Sequence, residues 1–134
     1  GLHENYTSKS VLDLIKKTED RVRYNTYDSL AIRKEKDFNQ EMLSALEFIK
    51  TDFFGIEIDL DALPNIASSA MTLSGFSIEE LRQFISFFGK NKNAAYIHIC
   101  EGAPDLGEEK NNHLIGKLIG YLVTDFIKAN NNSN

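Results

Sequence analysis

A chain of 134 residues has the length of a single domain and can bury about 65 to 70% of its unfolded surface around one core. Hydrophobic residues at 42% and charged residues at 26% exclude a chain that stays unfolded over most of its length. A net charge of -5 with no basic stripe excludes a general nucleic-acid binder. No apolar run approaches the ~20 residues that span a bilayer and the N-terminus lacks a signal-peptide pattern, so no membrane partner is expected. Cys100 is the only cysteine, which rules out an intrachain disulfide and favours a reducing, cytoplasmic setting. The chain opens on Gly1 rather than Met, as a processed product or a piece of a longer protein would.

In chain order, residues 1–6 read as the tail of a strand. Thr7 or Ser8 can cap a helix whose face is Val11, Leu12, Leu14 and Ile15, with Lys16 and Lys17 at the end where cations suit the macrodipole. Residues 21–27 alternate and are rich in β-formers, which predicts a strand. Asp37 followed by Gln40 is a capping-box pattern for a helix with Phe38, Met42, Ala45, Leu46 and Ile49 inside. The stretch 53–64 joins the strongest strand signal to the densest acidic cluster. There Ile56, Ile58 and Leu60 alternate with Glu57, Asp59 and Asp61.

A loop of small and polar residues follows Pro64, and Ser77 with Glu80 opens a helix with Leu81, Phe84, Ile85 and Phe88 buried and Gly89 as its C-cap. Residues 94–100 form a compact apolar run, read as a buried strand ending at Glu101, with His98 as a core histidine and Cys100 as packing. The last helix is expected over residues 108–129, with Asp105, Glu108 and Glu109 favouring its N-terminus and residues 130–134 as a disordered polar tail. The alternation of helix and strand predicts a single three-layer α/β domain over residues 1–129, with a mostly parallel open sheet. In such a sheet ligands collect at the C-terminal strand ends. Asp59 and Asp61 end one strand and Glu101 another. An amphipathic surface strand could alternate in the same way, but three carboxylates along one strand repel unless a cation neutralises them or the last ones run out into a loop; the cation would be a hard or borderline divalent metal with Asp59 and Asp61 as ligands.

The segment Ile56-Glu57-Ile58-Asp59-Leu60-Asp61-Ala62-Leu63 resembles the Asp-x-Asp strand end of the arginase, agmatinase and formimidoylglutamase family, the manganese ureohydrolases. The loop Ala70-Met71-Thr72-Leu73-Ser74-Gly75-Phe76-Ser77 is similar to that family's Thr-Pro and Gly-rich segment. Ile97-His98-Ile99-Cys100-Glu101-Gly102-Ala103-Pro104 resembles its strand ending in Glu. The resemblance implies an arginase-like fold of which this chain is the C-terminal portion. It implies Asp59 and Asp61 as ligands of a binuclear Mn²⁺ pair, and Glu101 as the substrate-binding partner of a guanidino or formimino group. The metals would lower the pKa of a bridging water so that hydroxide attacks the amidine carbon. No catalytic residue is assigned within the chain itself.

Departures accompany the likeness. Pro64-Asn65 stands where the family has Asp-Pro, and Thr72-Leu73 where it has Thr-Pro. The family's two His-bearing metal segments do not occur in these residues. The chain is therefore expected to be inactive alone and to need the missing N-terminal part of the same protein, with a homo-oligomer as a further possible partner. The alternative is a non-catalytic α/β module. A regulatory one of the receiver type would bind Mg²⁺ through strand-end acids but wants a Lys that is not placed for it. An oligomerisation piece would use the apolar faces of the last two helices.

Overall fold

The computed structural model describes residues 3–4, 7–18, 20–49, 53–106 and 112–132. It divides into two compact units, Gly1–Lys50 and Thr51–Asn134.

In the first unit, helix α1 (Lys9–Lys16) is capped by Ser8, whose hydroxyl accepts from the Val11 N–H at 3.4 Å. Leu12 and Ile15 of its apolar face are half-buried, while Val11 and Leu14 are exposed. Of the strand expected over residues 21–27, the described residues keep a single β-bridge, at Thr26. Val22 and Tyr24 stay exposed, so their alternation buries no face, and Thr26 also starts a turn. Its Oγ1 accepts from the Ser29 N–H at 3.1 Å and its carbonyl from the Ser29 hydroxyl at 2.9 Å, which leads the chain into a π-helical turn at Asp28–Ile32. Helix α2 (Phe38–Ile49) starts as predicted, with Asp37 Oδ1 accepting from the Gln40 N–H at 2.9 Å. Met42 is buried and the rest of the expected stripe half-buried.

The Arg33 guanidinium grips Glu4 with two parallel bonds, at 2.9 and 2.7 Å, and reaches Glu35 at 2.7 Å. The Arg33 bonds, joined by one from the Thr26 hydroxyl, bring the Glu4 pKa down to about 2. Residues 1–2 and 5–6 of the expected N-terminal strand lie outside the described residues, and Glu4 sits in a turn.

The second unit is a β-α-β arrangement closed by a long helix. Strand β1 (Phe54–Asp59) pairs in parallel with β2 (Ala94–Cys100), with Glu57 opposite His98 and Asp59 opposite Cys100. Helix α3 (Ile78–Gly89) makes the crossover that a parallel pair requires. Its capping box is complete: Ser77 Oγ accepts from the Glu80 N–H at 3.1 Å, and Glu80 Oε2 accepts from the Ser77 N–H at 2.8 Å. The α/β class with a parallel sheet agrees with the sequence reading; among the described residues the sheet has two strands.

Helix α4 (Asn112–Asn131) packs on α3 and β2 through Ile115, Leu118, Leu122 and Ala129. Glu108 and Glu109 lie outside the described residues. The helix continues to Asn131, past the expected end at Ala129, because the Asn130 side chain donates to the Gly89 carbonyl at 3.4 Å and the Ala94 carbonyl at 3.3 Å. Gly89 is not a left-handed cap. It is the last residue of α3, and a Cβ there would stand 3.1 Å from Ala129 Cβ, so its bare backbone lets the two helices approach. Arg82 on α3 and Asp125 on α4 add a bidentate pair at 2.6 and 3.1 Å.

Two tests follow from this packing. Leu60, fully buried at 0% exposure, should cost about 2–5 kcal/mol when cut to Ala, seen as a lower urea midpoint at unchanged slope. Since the folded-state pKa of Glu4 lies below that of an unfolded glutamate, its pairing stabilises above the ordinary carboxylate range and is lost as pH falls towards about 2. A side-chain carboxyl NMR titration should show Glu4 titrating last among the glutamates, and Glu4→Gln should remove that part of the acid sensitivity.

Candidate functional site

Two parallel strands that end side by side deliver whatever follows them to one rim. Along β1 the alternation holds: Ile56 and Ile58 are buried while Glu57 and Asp59 face solvent. Beyond Asp59 the chain winds into a 3-10 turn at Leu60–Ala62, capped by Asp59, whose Oδ1 accepts from the Asp61 N–H at 2.9 Å. Asp61 thereby leaves the row of Glu57 and Asp59. Its Oδ1 accepts from the Ala70 N–H at 3.0 Å and its Oδ2 from the Ser69 hydroxyl at 3.2 Å.

The same Ser69 hydroxyl is bonded to Glu101 Oε2, and the Ser69 N–H donates to the Glu101 carbonyl at 3.3 Å. Acids from two strand ends thus converge on one serine. The loop carrying it is fixed at both ends. The Asn65 N–H donates to the Thr72 carbonyl and the Phe76 N–H to the Ala62 carbonyl, both at 3.0 Å, while Ser68 bridges to Gly102. Gly75 is required in this closure, because a Cβ there would lie 2.2 Å from the Ala62 carbonyl oxygen.

Glu101 turns the chain at φ 65°, a left-handed conformation that costs a non-glycine residue about 1–3 kcal/mol. Gly102 is next in the chain, yet the bend falls on the glutamate. Burial pushes the Asp61 carboxyl up, but the Ser68 hydroxyl beside it and the bonds from Ala70 and Ser69 outweigh that and hold it below its ordinary value. Ser68 acts there through proximity, since its Oγ is buried without a hydrogen-bond partner among the described residues. Burial raises the Cys100 thiol, and the Asp59 and Glu101 charges raise it further, the opposite of what a nucleophile needs.

The structure therefore joins Asp61 and Glu101 through one serine, with Asp59 at the end of β1 bonded to the Asp61 N–H, and it adds two residues the sequence reading did not single out, Ser68 and Ser69. Their only signal was two hydroxyls in succession in the loop between the acids. His98 is a correction. It is not in the core but 58% exposed, bonded through Nδ1 to an equally exposed Glu57, because the register puts both on the open face of the sheet. The His98 bond, with one from the Tyr96 hydroxyl, lowers the Glu57 pKa.

As metal donors, Asp59 and Asp61 are hard oxygen ligands of the type manganese or magnesium accepts. Their number falls short of a full coordination sphere. Among the described residues no group of three or more His, Cys, Asp or Glu is arranged to hold a metal ion.

The chain is structurally similar to formimidoylglutamase from Bacillus subtilis, with a TM-score of 0.79 at 23% identity over 96% of this chain and 39% of that one. The chain has an arginase-like fold. Arginase from Helicobacter pylori matches it with a TM-score of 0.76 at 19% identity, over 92% of this chain and 40% of that one. An Entamoeba histolytica arginase in complex with L-ornithine matches with a TM-score of 0.64 at 19% identity, over 84% of this chain and 39% of that one. The chain thus spans about two fifths of the length of these arginase-like structures, in keeping with the expectation of a portion of that fold. No protein-family model and no curated protein matches the sequence. No helix among the described residues is long and apolar enough to cross a membrane.

Asp61→Asn tests the stitching of this rim. Loss of a charged acceptor should cut the hydrogen-exchange protection of the Ala70 amide by about tenfold, measured by NMR. Unchanged protection would mean that the loop is held by its backbone bonds alone.

Proposed function

We propose that this chain supplies part of the active centre of a manganese-dependent hydrolase that cleaves a C–N bond of a guanidino or formimino compound. The observation supporting it is the meeting of Asp61 and Glu101 on Ser69, beside Asp59 at the end of β1, at the paired strand ends of an arginase-like fold.

Asp59 and Asp61 would hold the metal, with Asp61 kept anionic by its bonds to Ala70 and Ser69. Manganese would supply Lewis-acid activation of a water for attack on the amidine carbon. Glu101 stands exposed on its left-handed bend and offers two acceptor oxygens to a planar cation, a fork that fixes the orientation of the amidine carbon. The remaining metal ligands, and the groups that distinguish arginine, agmatine and formiminoglutamate, would come from an N-terminal part of the same protein. In this reading the 134-residue chain alone is inactive, and its setting is the cytoplasm.

A second reading is favoured by the open sheet face. Parallel sheets are ordinarily covered on both faces, yet Glu57, Tyr96 and His98 lie exposed on one. That suits a non-catalytic regulatory or oligomerisation module, including a homo-oligomer.

Calorimetric titration of Mn²⁺ separates the two. The chain should bind Mn²⁺ weakly through two carboxylates, and Asp59→Asn/Asp61→Asn should abolish that binding. Equal titration curves for the chain and the double variant would remove the ligand assignment and leave the module.

A further inference from the structure

A serine hydroxyl carries one proton. That of Ser69 has carboxylate oxygens from two strand ends within reach, Asp61 Oδ2 at 3.2 Å and Glu101 Oε2. It can donate to only one of them at a time. The other carboxylate is then held against oxygen lone pairs and a neighbouring negative charge, an arrangement that favours a cation. A second observation lies behind this one. Ser68, next to Ser69 in the chain and 1% exposed, has a hydroxyl with no hydrogen-bond partner among the described residues. Native structures rarely leave such a group orphaned. The rim therefore has more acceptors than protons in front and an unused hydroxyl behind.

We propose that Ser69 is a displaceable stand-in at Glu101. A planar cation with paired N–H donors, of the guanidinium or amidinium class, takes Glu101 Oε2 from it, and the Ser69 proton turns wholly to Asp61. Ser69 is exposed, so the exchange needs a side-chain rotation and leaves the Ser69 N–H bond to the Glu101 carbonyl in place. A cation without N–H donors neutralises charge but cannot replace the lost hydrogen bond, so the exchange selects for geometry as well as charge. This inference rests on the proposed role of Glu101 as the anchor for the substrate cation, and it adds a competitor built into the chain.

The test is a titration of the 134-residue chain with methylguanidinium, followed by the amide NMR shifts of Ser69, Ala70 and Gly102, with tetramethylammonium as the control cation. Ser69→Ala, with no competitor for Glu101, should bind methylguanidinium about fivefold tighter than the unsubstituted chain. Ser69→Thr keeps the hydroxyl and should bind as the unsubstituted chain does, which separates loss of competition from loss of folding. Glu101→Gln should bind weakly, and tetramethylammonium should move none of these amides. If Glu101→Gln loses binding but Ser69→Ala binds no tighter than the unsubstituted chain, Ser69 is a ligand or a tether. The stand-in is then overturned while the Glu101 assignment stands. If Glu101→Gln binds undiminished, the Glu101 assignment itself fails and the stand-in with it. No saturable shift in either the unsubstituted chain or Ser69→Ala would also overturn the proposal.

Discussion

The two-residue period of β1 is the constraint on which the rest of the second unit depends. Burying Ile56 and Ile58 is worth about 1.5–3 kcal/mol each, and a slip of one residue would expose both while driving Glu57 and Asp59 inward as unpaired charges. The register is therefore held, and with it the side on which every acid of the strand emerges. The parallel ladder carries the choice to the neighbouring strand, placing His98 beside Glu57 and the end of β2 beside Asp59.

Past the strand ends, backbone geometry takes over from alternation. The 3-10 turn capped by Asp59 takes Asp61 out of the exposed row and gives it to the loop, and the left-handed bend at Glu101 brings the second strand's acid to meet it. Neither step is cheap. A non-glycine residue at positive φ and a buried hydroxyl without a partner both oppose folding, and they occur within the same small rim.

The arginase-like fold and the local chemistry thus meet at one place. The chain spans about two fifths of the structures it resembles, and among its described residues no group of three or more His, Cys, Asp or Glu is arranged to hold a metal ion. One face of the parallel pair carries the exposed Glu57, Tyr96 and His98, where parallel sheets are ordinarily covered. Both the active-centre reading and the module reading expect something further to lie against it.

Much of this was legible in the residues. The alternation of β1, the boundaries of β2 and the capping box at Ser77 are local patterns, and local patterns survive whatever surrounds them. The place of Asp59 at the end of β1 followed from the same alternation and that of Glu101 from the end of an apolar run, whereas Asp61 left the alternation for the 3-10 turn. What failed did so because it depended on partners. Residues 21–27 have strand composition, but a strand is stabilised by the chain beside it, and here pairing is limited to a bridge at Thr26, whose side chain and carbonyl also bond Ser29 in a turn. His98 carries an apolar neighbourhood in sequence but an exposed one in space, because only the ladder decides which face of β2 is open. Gly89 resembled a cap until α4 showed it to be a contact. The sequence by itself determined the elements and the acids at their ends, since helix and strand periods are properties of neighbouring residues. Tertiary structure alone decided that one hydroxyl from a distant loop would hold two of those acids, since hydrogen bonds between residues 8 and 32 positions apart leave no periodic trace in the chain.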